Sequence, residues 1–168
     1  MKTIHCFSAI VLCLGISTAF GQDSKFSALY VINFAKYIGW PAGSVQGKFT
    51  ITVLGDDPIS GELKTLAADT KIGDQAVTVA KSASIDKVDN CQILYISPDK
   101  SNLLATAISK FSSTNTLIVT NKDGLAQLGA GINLVKAGGK LTFEINVESL
   151  KKSGLSAKPA LFKLGKTI

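Results

Sequence analysis

The sequence predicts an α/β domain built on a mostly parallel central sheet, with helices on both faces and an antiparallel hairpin at one edge. Two segments, Cys91–Ser97 (CQILYIS) and Thr116–Thr120 (TLIVT), are almost continuously apolar. Such runs are typical of strands that are buried on both faces of a parallel sheet. Segments with strand patterns alternate with segments of helical spacing, which favours a sheet covered by helices.

The first half of the domain is predicted to run helix, strand, helix. Phe26–Trp40 has helical spacing and ends at Pro41, and Phe49–Leu54 is a short strand. The turn Gly55–Pro58 leads into a second helix, with Asp57 as its N-cap. The first helix is apolar on almost every side, so it is buried twice or lies in an interface between two chains. We therefore predict self-association through Val31 and Ile32, giving a homodimer.

The second half adds two buried strands and a hairpin. A helix through about Phe111 follows Pro98, and a short helix is expected over Asp123–Leu128. Ile132–Val135 and Leu141–Val147 form a hairpin about Gly138-Gly139. Two short helices, over about residues 148–153 and 159–166, end the chain.

The start of the chain predicts export. Lys2 precedes an uncharged apolar stretch from Phe7 to Phe20, and small residues at Ala19 and Gly21 suit cleavage before Gln22. The apolar stretch is about 14 residues, short of the roughly 20 that cross a bilayer. Residues 1–21 are therefore predicted to be a cleaved signal peptide, and residues 22–168 one domain that works outside the cytoplasm without inserting into the membrane.

Composition excludes several kinds of chemistry. The one histidine, His5, is lost with the signal peptide, so the exported part has no His-dependent triad and no His-ligated metal. The chain has a net charge of +6 but no arginine, and its lysines are scattered, which argues against nucleic-acid binding. Cys91 is the one cysteine after cleavage, so no intrachain disulfide can form. We predict neither an enzyme nor a cofactor.

Two polar sets are candidate binding residues. Asp56 and Asp57 follow a strand at the end of the sheet where α/β domains bind ligands, although a turn and a helix cap would use the same residues. Thr142, Glu144 and Asn146 share one face of the second hairpin strand. They form either a solvated face or the polar rim of a protein-binding surface, and the sequence favours neither.

An ordered set of segments resembles the YfiR/HmsC-like family of periplasmic proteins across almost the whole exported chain. The matching blocks are ALYVINFAKYIGWP at 28–41, FTITVLGDDP at 49–58, CQILYIS at 91–97, LIVT at 117–120, the segment at 131–146 that ends in FEIN, and LSAKPALFKL at 155–164.

The resemblance implies a function and a location. Members are periplasmic α/β repressors, often dimeric, that hold an inner-membrane diguanylate cyclase inactive and so restrain cyclic-di-GMP synthesis and biofilm formation. They have no known catalytic residues. Members commonly have further cysteines that pair, whereas Cys91 here has no intrachain partner. The alternative is a periplasmic small-molecule binding module that feeds a membrane sensor kinase.

Overall fold

The computed structural model describes residues 19–44 and 47–168. The predicted signal peptide lies outside these residues except for its last three. Five α-helices are described: α1 (Ala19–Tyr37), α2 (Ile59–Ala67), α3 (Leu104–Lys110), α4 (Val147–Lys152) and α5 (Pro159–Phe162). Ten strands are described: β1 (Ile38–Gly39), β2 (Phe49–Leu54), β3 (Lys71–Ile72), β4 (Gln75–Ser82), β5 (Ile93–Ile96), β6 (Leu117–Thr120), β7 (Ile132–Ala137), β8 (Lys140–Ile145), β9 (Ser156–Ala157) and β10 (Lys166–Thr167).

Eight of these strands form one sheet in the order β10-β8-β7-β6-β5-β2-β4-β3. The five central strands, β4, β2, β5, β6 and β7, are parallel to one another. The pairs β7–β8 and β3–β4 are antiparallel, and β1 pairs with β9 in a separate small sheet. The predicted fold class is confirmed, with one refinement: the two-residue strand β10 lies outside the hairpin.

Helices cover both faces of the sheet. On one face, α1 and α2 pack through residues such as Phe34 and Leu63 onto the inward side chains of the strands. On the other face, α3 contributes Leu104, Ala107 and Phe111 to a second apolar cluster. The near-continuous apolar pattern of β5 and β6 arises because alternate side chains enter these two clusters, and every residue of both strands is buried.

The parallel strands have a topological switch point. From β2 the chain passes through α2 to β4 on one side, and then returns across the opposite face to β5 on the other side. The carboxyl ends of β2 and β5 therefore diverge at the position where open α/β sheets commonly form a ligand crevice. Asp56 and Asp57 follow β2 at this point.

Two predicted helices differ from the structure. The expected helix over Asp123–Leu128 is a series of turns, in part because the Asn146 side chain takes the backbone carbonyl of Ala126. The last helix ends at Phe162, four residues early, and the chain then extends to form β10. In the part of the chain that the structure describes, no helix has the length and apolar character needed to span a bilayer.

Candidate functional site

The hairpin of β7 and β8 holds the predicted partner-binding residues. Its two-residue turn, Gly138-Gly139, has φ angles of 57° and 75°, the left-handed conformation that a type I′ turn requires and that glycine adopts freely. The turn fixes the register, so Phe143 and Ile145 enter the core while Thr142 and Glu144 point to the other face. Both polar side chains are half-buried.

A row of polar side chains crosses four neighbouring strands on this face. The strand registers place Thr120 beside Asn133, Asn133 beside Glu144, and Glu144 beside Lys166. Directly opposed residues on adjacent strands have Cβ atoms about 5 Å apart, so each member can influence the next. We call these four residues the hairpin row. The sequence prediction found Glu144 but not the other three, because strand pairing brings them together from distant parts of the chain.

Asn133 is the buried member of the hairpin row. Its Oδ1 accepts hydrogen bonds from the Thr120 hydroxyl at 2.7 Å and from the Lys122 backbone N–H at 3.3 Å. Because an N–H can only donate, this contact identifies the oxygen side of the amide. The Nδ2 side is fully buried and has no hydrogen-bond partner within the described chain. A buried donor left unsatisfied costs about 1–3 kcal/mol.

Glu144 lies next to this unsatisfied donor. The carboxylate forms no ion pair with any residue that the structure describes, although Lys166 is its neighbour on the other side. A half-buried carboxylate between a buried amide donor and an exposed lysine can accept hydrogen bonds from either one or from a bound partner. The hairpin row therefore has hydrogen-bonding capacity that contacts within the described chain do not use.

Asn146 has a structural role. Its Oδ1 accepts a hydrogen bond from the Ser149 backbone N–H at 2.9 Å and so caps α4, and its Nδ2 donates to the Ala126 carbonyl at 2.8 Å. The expectation that its side chain lies on the free outward face with Glu144 is wrong, because β8 ends at Ile145 and the next residue begins the turn into the helix.

Asp56 and Asp57 are both engaged within the fold. Asp56 pairs with Lys81 at 2.6 Å, and hydrogen bonding to that ammonium lowers the pKa of the Asp56 carboxyl. Asp57 accepts from the Ile59 N–H at 2.9 Å, which satisfies the start of α2 as the sequence predicted. Its second oxygen accepts from the Tyr95 hydroxyl at 3.2 Å.

The crevice beside these two carboxylates is filled by the chain itself. The loops that follow β2 and β5 touch so closely that a Cβ on Gly55 would lie 1.8 Å from the Ser97 hydroxyl and 2.9 Å from Cγ of Lys100. Ser97 is fully buried and donates to the Leu54 carbonyl at 2.6 Å. The ligand crevice predicted at Asp56 and Asp57 therefore receives no geometric support between these two strand ends.

Tyr95 is a polar group that sequence reasoning missed. It is fully buried on β5, and its hydroxyl joins the Asp57 carboxylate to the Asn121 amide, which donates to it at 3.3 Å. Burial, with the neighbouring Asp57 charge, raises the pKa of Tyr95 above its usual range. The available signal was a tyrosine within an otherwise apolar buried strand, since a buried tyrosine hydroxyl needs a hydrogen-bond partner.

The prediction that Val31 and Ile32 remain uncovered is wrong. Their exposed fractions within one chain are 0% and 5%, and both belong to the core that α1 forms with the sheet. The exposed apolar residues of α1 are instead Phe26, at 47%, and Leu29, at 37%. Helix α1 is apolar on two sides because it packs against α2 as well as against the sheet and the C-terminal segment.

Cys91 is buried and free. Burial raises the pKa of its thiol from 9.0 to about 11, so the thiolate is disfavoured at neutral pH. A thiol in this state is an apolar core group and a poor nucleophile.

Comparison with known proteins shows the family. A scan against protein-family models matches residues 24–166 of the 168-residue chain to the family described as YfiR/HmsC-like. A search of curated proteins finds no match. Members of this family are non-catalytic periplasmic regulators of diguanylate cyclase. Because the match covers all five central strands and the hairpin row, this chain belongs to the YfiR/HmsC-like family.

Proposed function

We propose that this chain is a periplasmic regulatory protein that binds the extracytoplasmic part of an inner-membrane diguanylate cyclase and holds the enzyme inactive. Membership of the family and the signal peptide predicted at residues 1–21 support this function. The result of such binding is restrained cyclic-di-GMP synthesis and restrained biofilm formation. The filled crevice at Asp56 and Asp57 gives no support to the alternative, a small-molecule module for a sensor kinase.

The observation that carries the proposed contact is the state of Glu144. This carboxylate is half-buried, has no ion pair with a described residue, and lies beside the unsatisfied Asn133 amide. Water that is bound there can be displaced by a partner's donor group, and a charge-assisted hydrogen bond is then formed in a partly desolvated setting. Thr142, also half-buried on the same face, lies one step further along β8 and belongs to the proposed rim.

The homodimer remains a proposal, with a changed surface. Because Val31 and Ile32 are buried, α1 offers Phe26 and Leu29 for contact with a second copy. Two large apolar side chains, one turn apart on an exposed helix stripe, are suited to pair with the same stripe of another chain.

The function is tested by deleting the gene and measuring cellular cyclic-di-GMP. We expect the nucleotide level to rise, and to return to normal when the full chain is supplied but not when residues 1–21 are removed. An unchanged level in the deletion strain would refute regulation of a cyclase and make a sensor kinase the next candidate partner.

The contact is tested with Glu144→Ala, with Glu148→Ala as the matched control. Both changes remove one carboxylate, and Glu148 is an exposed residue of α4 whose ion pair with Lys152 spans 3.6 Å at the surface. We expect Glu144→Ala to raise cyclic-di-GMP while its melting curve stays close to that of the wild type, and Glu148→Ala to change neither. Equal effects of the two variants, or an equal loss of stability and repression in Glu144→Ala, would contradict the proposed contact.

A further inference from the structure

A second site lies away from the hairpin row. A cavity of about 280 Å³ opens between the end of α3, the start of β6 and helix α4. Its walls are mainly apolar and are formed by Ile108, Phe111, Leu117, Ile118, Leu150 and Leu155. The cavity lies at the amino end of β6, whereas Asn121 and the predicted crevice lie at the carboxyl ends of the strands. None of the predicted site residues lines it.

Two glycines keep the cavity open. A Cβ on Gly129 would lie 2.9 Å from Cδ1 of Ile108, and one on Gly131 would lie 3.0 Å from Cδ1 of Leu117. Any larger residue at these positions would therefore push on the apolar walls. Beside them, Leu128 is 69% exposed at the rim, the highest exposure of any large apolar residue in the described chain. An apolar side chain of this size gains by covering an apolar ligand.

The polar groups of the cavity are of one kind. Three serines, Ser112, Ser149 and Ser153, and the ammonium of Lys152 line it, and no acidic residue does. The Lys152 side chain is 75% exposed and makes a surface ion pair at 3.6 Å with Glu148, which leaves its ammonium accessible to another anion. Hydroxyl donors and one cation beside an apolar chamber match a molecule that has an apolar body and a single anionic head.

We propose that this cavity binds a medium-chain carboxylate, with the alkyl chain inside and the carboxylate at Lys152 and the neighbouring serines. At the roughly 30 Å³ that a water-sized group occupies in a liquid, the cavity holds about nine heavy atoms, which corresponds to an eight-carbon chain. The inference stands apart from the proposed regulation of a cyclase, and its test uses the purified exported protein alone.

Calorimetric titration with octanoate, hexanoate and 1-octanol tests the assignment. Burial of each methylene strengthens binding by about fourfold, so octanoate is expected to bind on the order of tenfold more tightly than hexanoate. Octanoate is expected to bind more tightly than 1-octanol because only the carboxylate pairs with Lys152. Equal affinity for octanoate and 1-octanol would overturn the anionic head, and no measurable octanoate binding would overturn the site.

Two variants and one control locate the site. Lys152→Ala is expected to weaken octanoate about fivefold and to leave 1-octanol unchanged, whereas Lys151→Ala, the adjacent exposed lysine outside the cavity, changes neither. Ser149→Phe fills the chamber and is expected to abolish binding of both ligands. Should that variant fail to fold in a thermal melt, Ser112→Trp at the exposed rim replaces it. Unchanged octanoate binding in the folded filling variant, or equal losses in the two lysine variants, would refute the proposed position.

Discussion

Helix α1 allows a sharp test of how this domain is packed. Ile32 and Leu29 lie three residues apart on one helix, yet Ile32 is 5% exposed in the core and Leu29 is 37% exposed. We compare Ile32→Lys with Leu29→Lys, since each change replaces an aliphatic side chain by the same charged one. The structure predicts that the first variant is strongly destabilised and that the second stays folded.

The magnitude follows from burial. Truncation of a buried isoleucine to alanine costs about 2–5 kcal/mol, and lysine at position 32 must in addition bury an ammonium or distort α1 to expose it. A loss of at least about 3 kcal/mol is therefore expected for Ile32→Lys, out of the roughly 5–15 kcal/mol that stabilises a typical domain. At the surface position, Leu29→Lys is expected to change stability by less than about 1 kcal/mol.

Urea unfolding followed by tryptophan fluorescence measures both variants. Trp40, the one tryptophan, packs edge-on against Phe49 at 5.2 Å between ring centres and donates to the Ala35 carbonyl, so it reports on the junction of α1 with the sheet. With a typical urea dependence, the midpoint for Ile32→Lys should fall by about 1–2 M. A soluble Ile32→Lys variant with the wild-type midpoint would refute the packing and restore position 32 as a surface for self-association. If α1 pairs with a second copy, Leu29→Lys also lowers the molecular mass in solution.

Two further changes test buried polar groups. Because the folded state raises the pKa of Cys91 from 9.0 to about 11, it holds the thiol proton more tightly than the unfolded chain does; this stabilisation is complete below pH 9 and is lost between pH 9 and 11. The fall in unfolding free energy over that interval should therefore be smaller in Cys91→Ala by up to about 3 kcal/mol, and parallel curves would contradict this. Tyr95→Phe removes the hydroxyl that joins Asp57 to Asn121, and should cost about 1–2 kcal/mol at neutral pH by urea unfolding. Its alkaline loss of stability above pH 10 should also shrink, because the raised pKa of Tyr95 no longer contributes, and a variant as stable as the wild type would show that this hydroxyl is satisfied by water instead.

Elements whose signal is local were predictable from the sequence. The strand Phe49–Leu54 has the predicted bounds, because a β-rich run is closed on its carboxyl side by a glycine turn. The hairpin turn is where the Gly138-Gly139 pair predicted it, since few other dipeptides adopt two left-handed residues in succession. The cap of α2 by Asp57 was likewise readable from an acidic residue before Pro58.

Features that depend on distant contacts were not predictable. An apolar pattern around α1 indicates burial on two sides, but it does not say whether the second side meets α2 or another chain; the structure shows α2 and the C-terminal segment. The two residues of β10 contain no strand signal, and their conformation depends on β8 being available beside them. The hairpin row likewise exists only once β6, β7, β8 and β10 are in register, so the sequence gave no reason to group Asn133 with Glu144.

The position of β10 determines how a partner can recognise this end of the sheet. An open edge strand offers its backbone to another chain, but β8 is protected on its outer side. The Ile145 carbonyl accepts a hydrogen bond from the Ile168 N–H at 3.0 Å, and the Leu141 carbonyl accepts one from the Tyr30 hydroxyl of α1 at 3.2 Å. Because β7 pairs with the inner side, the backbone near Glu144 is covered from both directions. A partner that docks here must therefore recognise side chains rather than add a strand, so its binding should depend on the carboxylate of Glu144 itself.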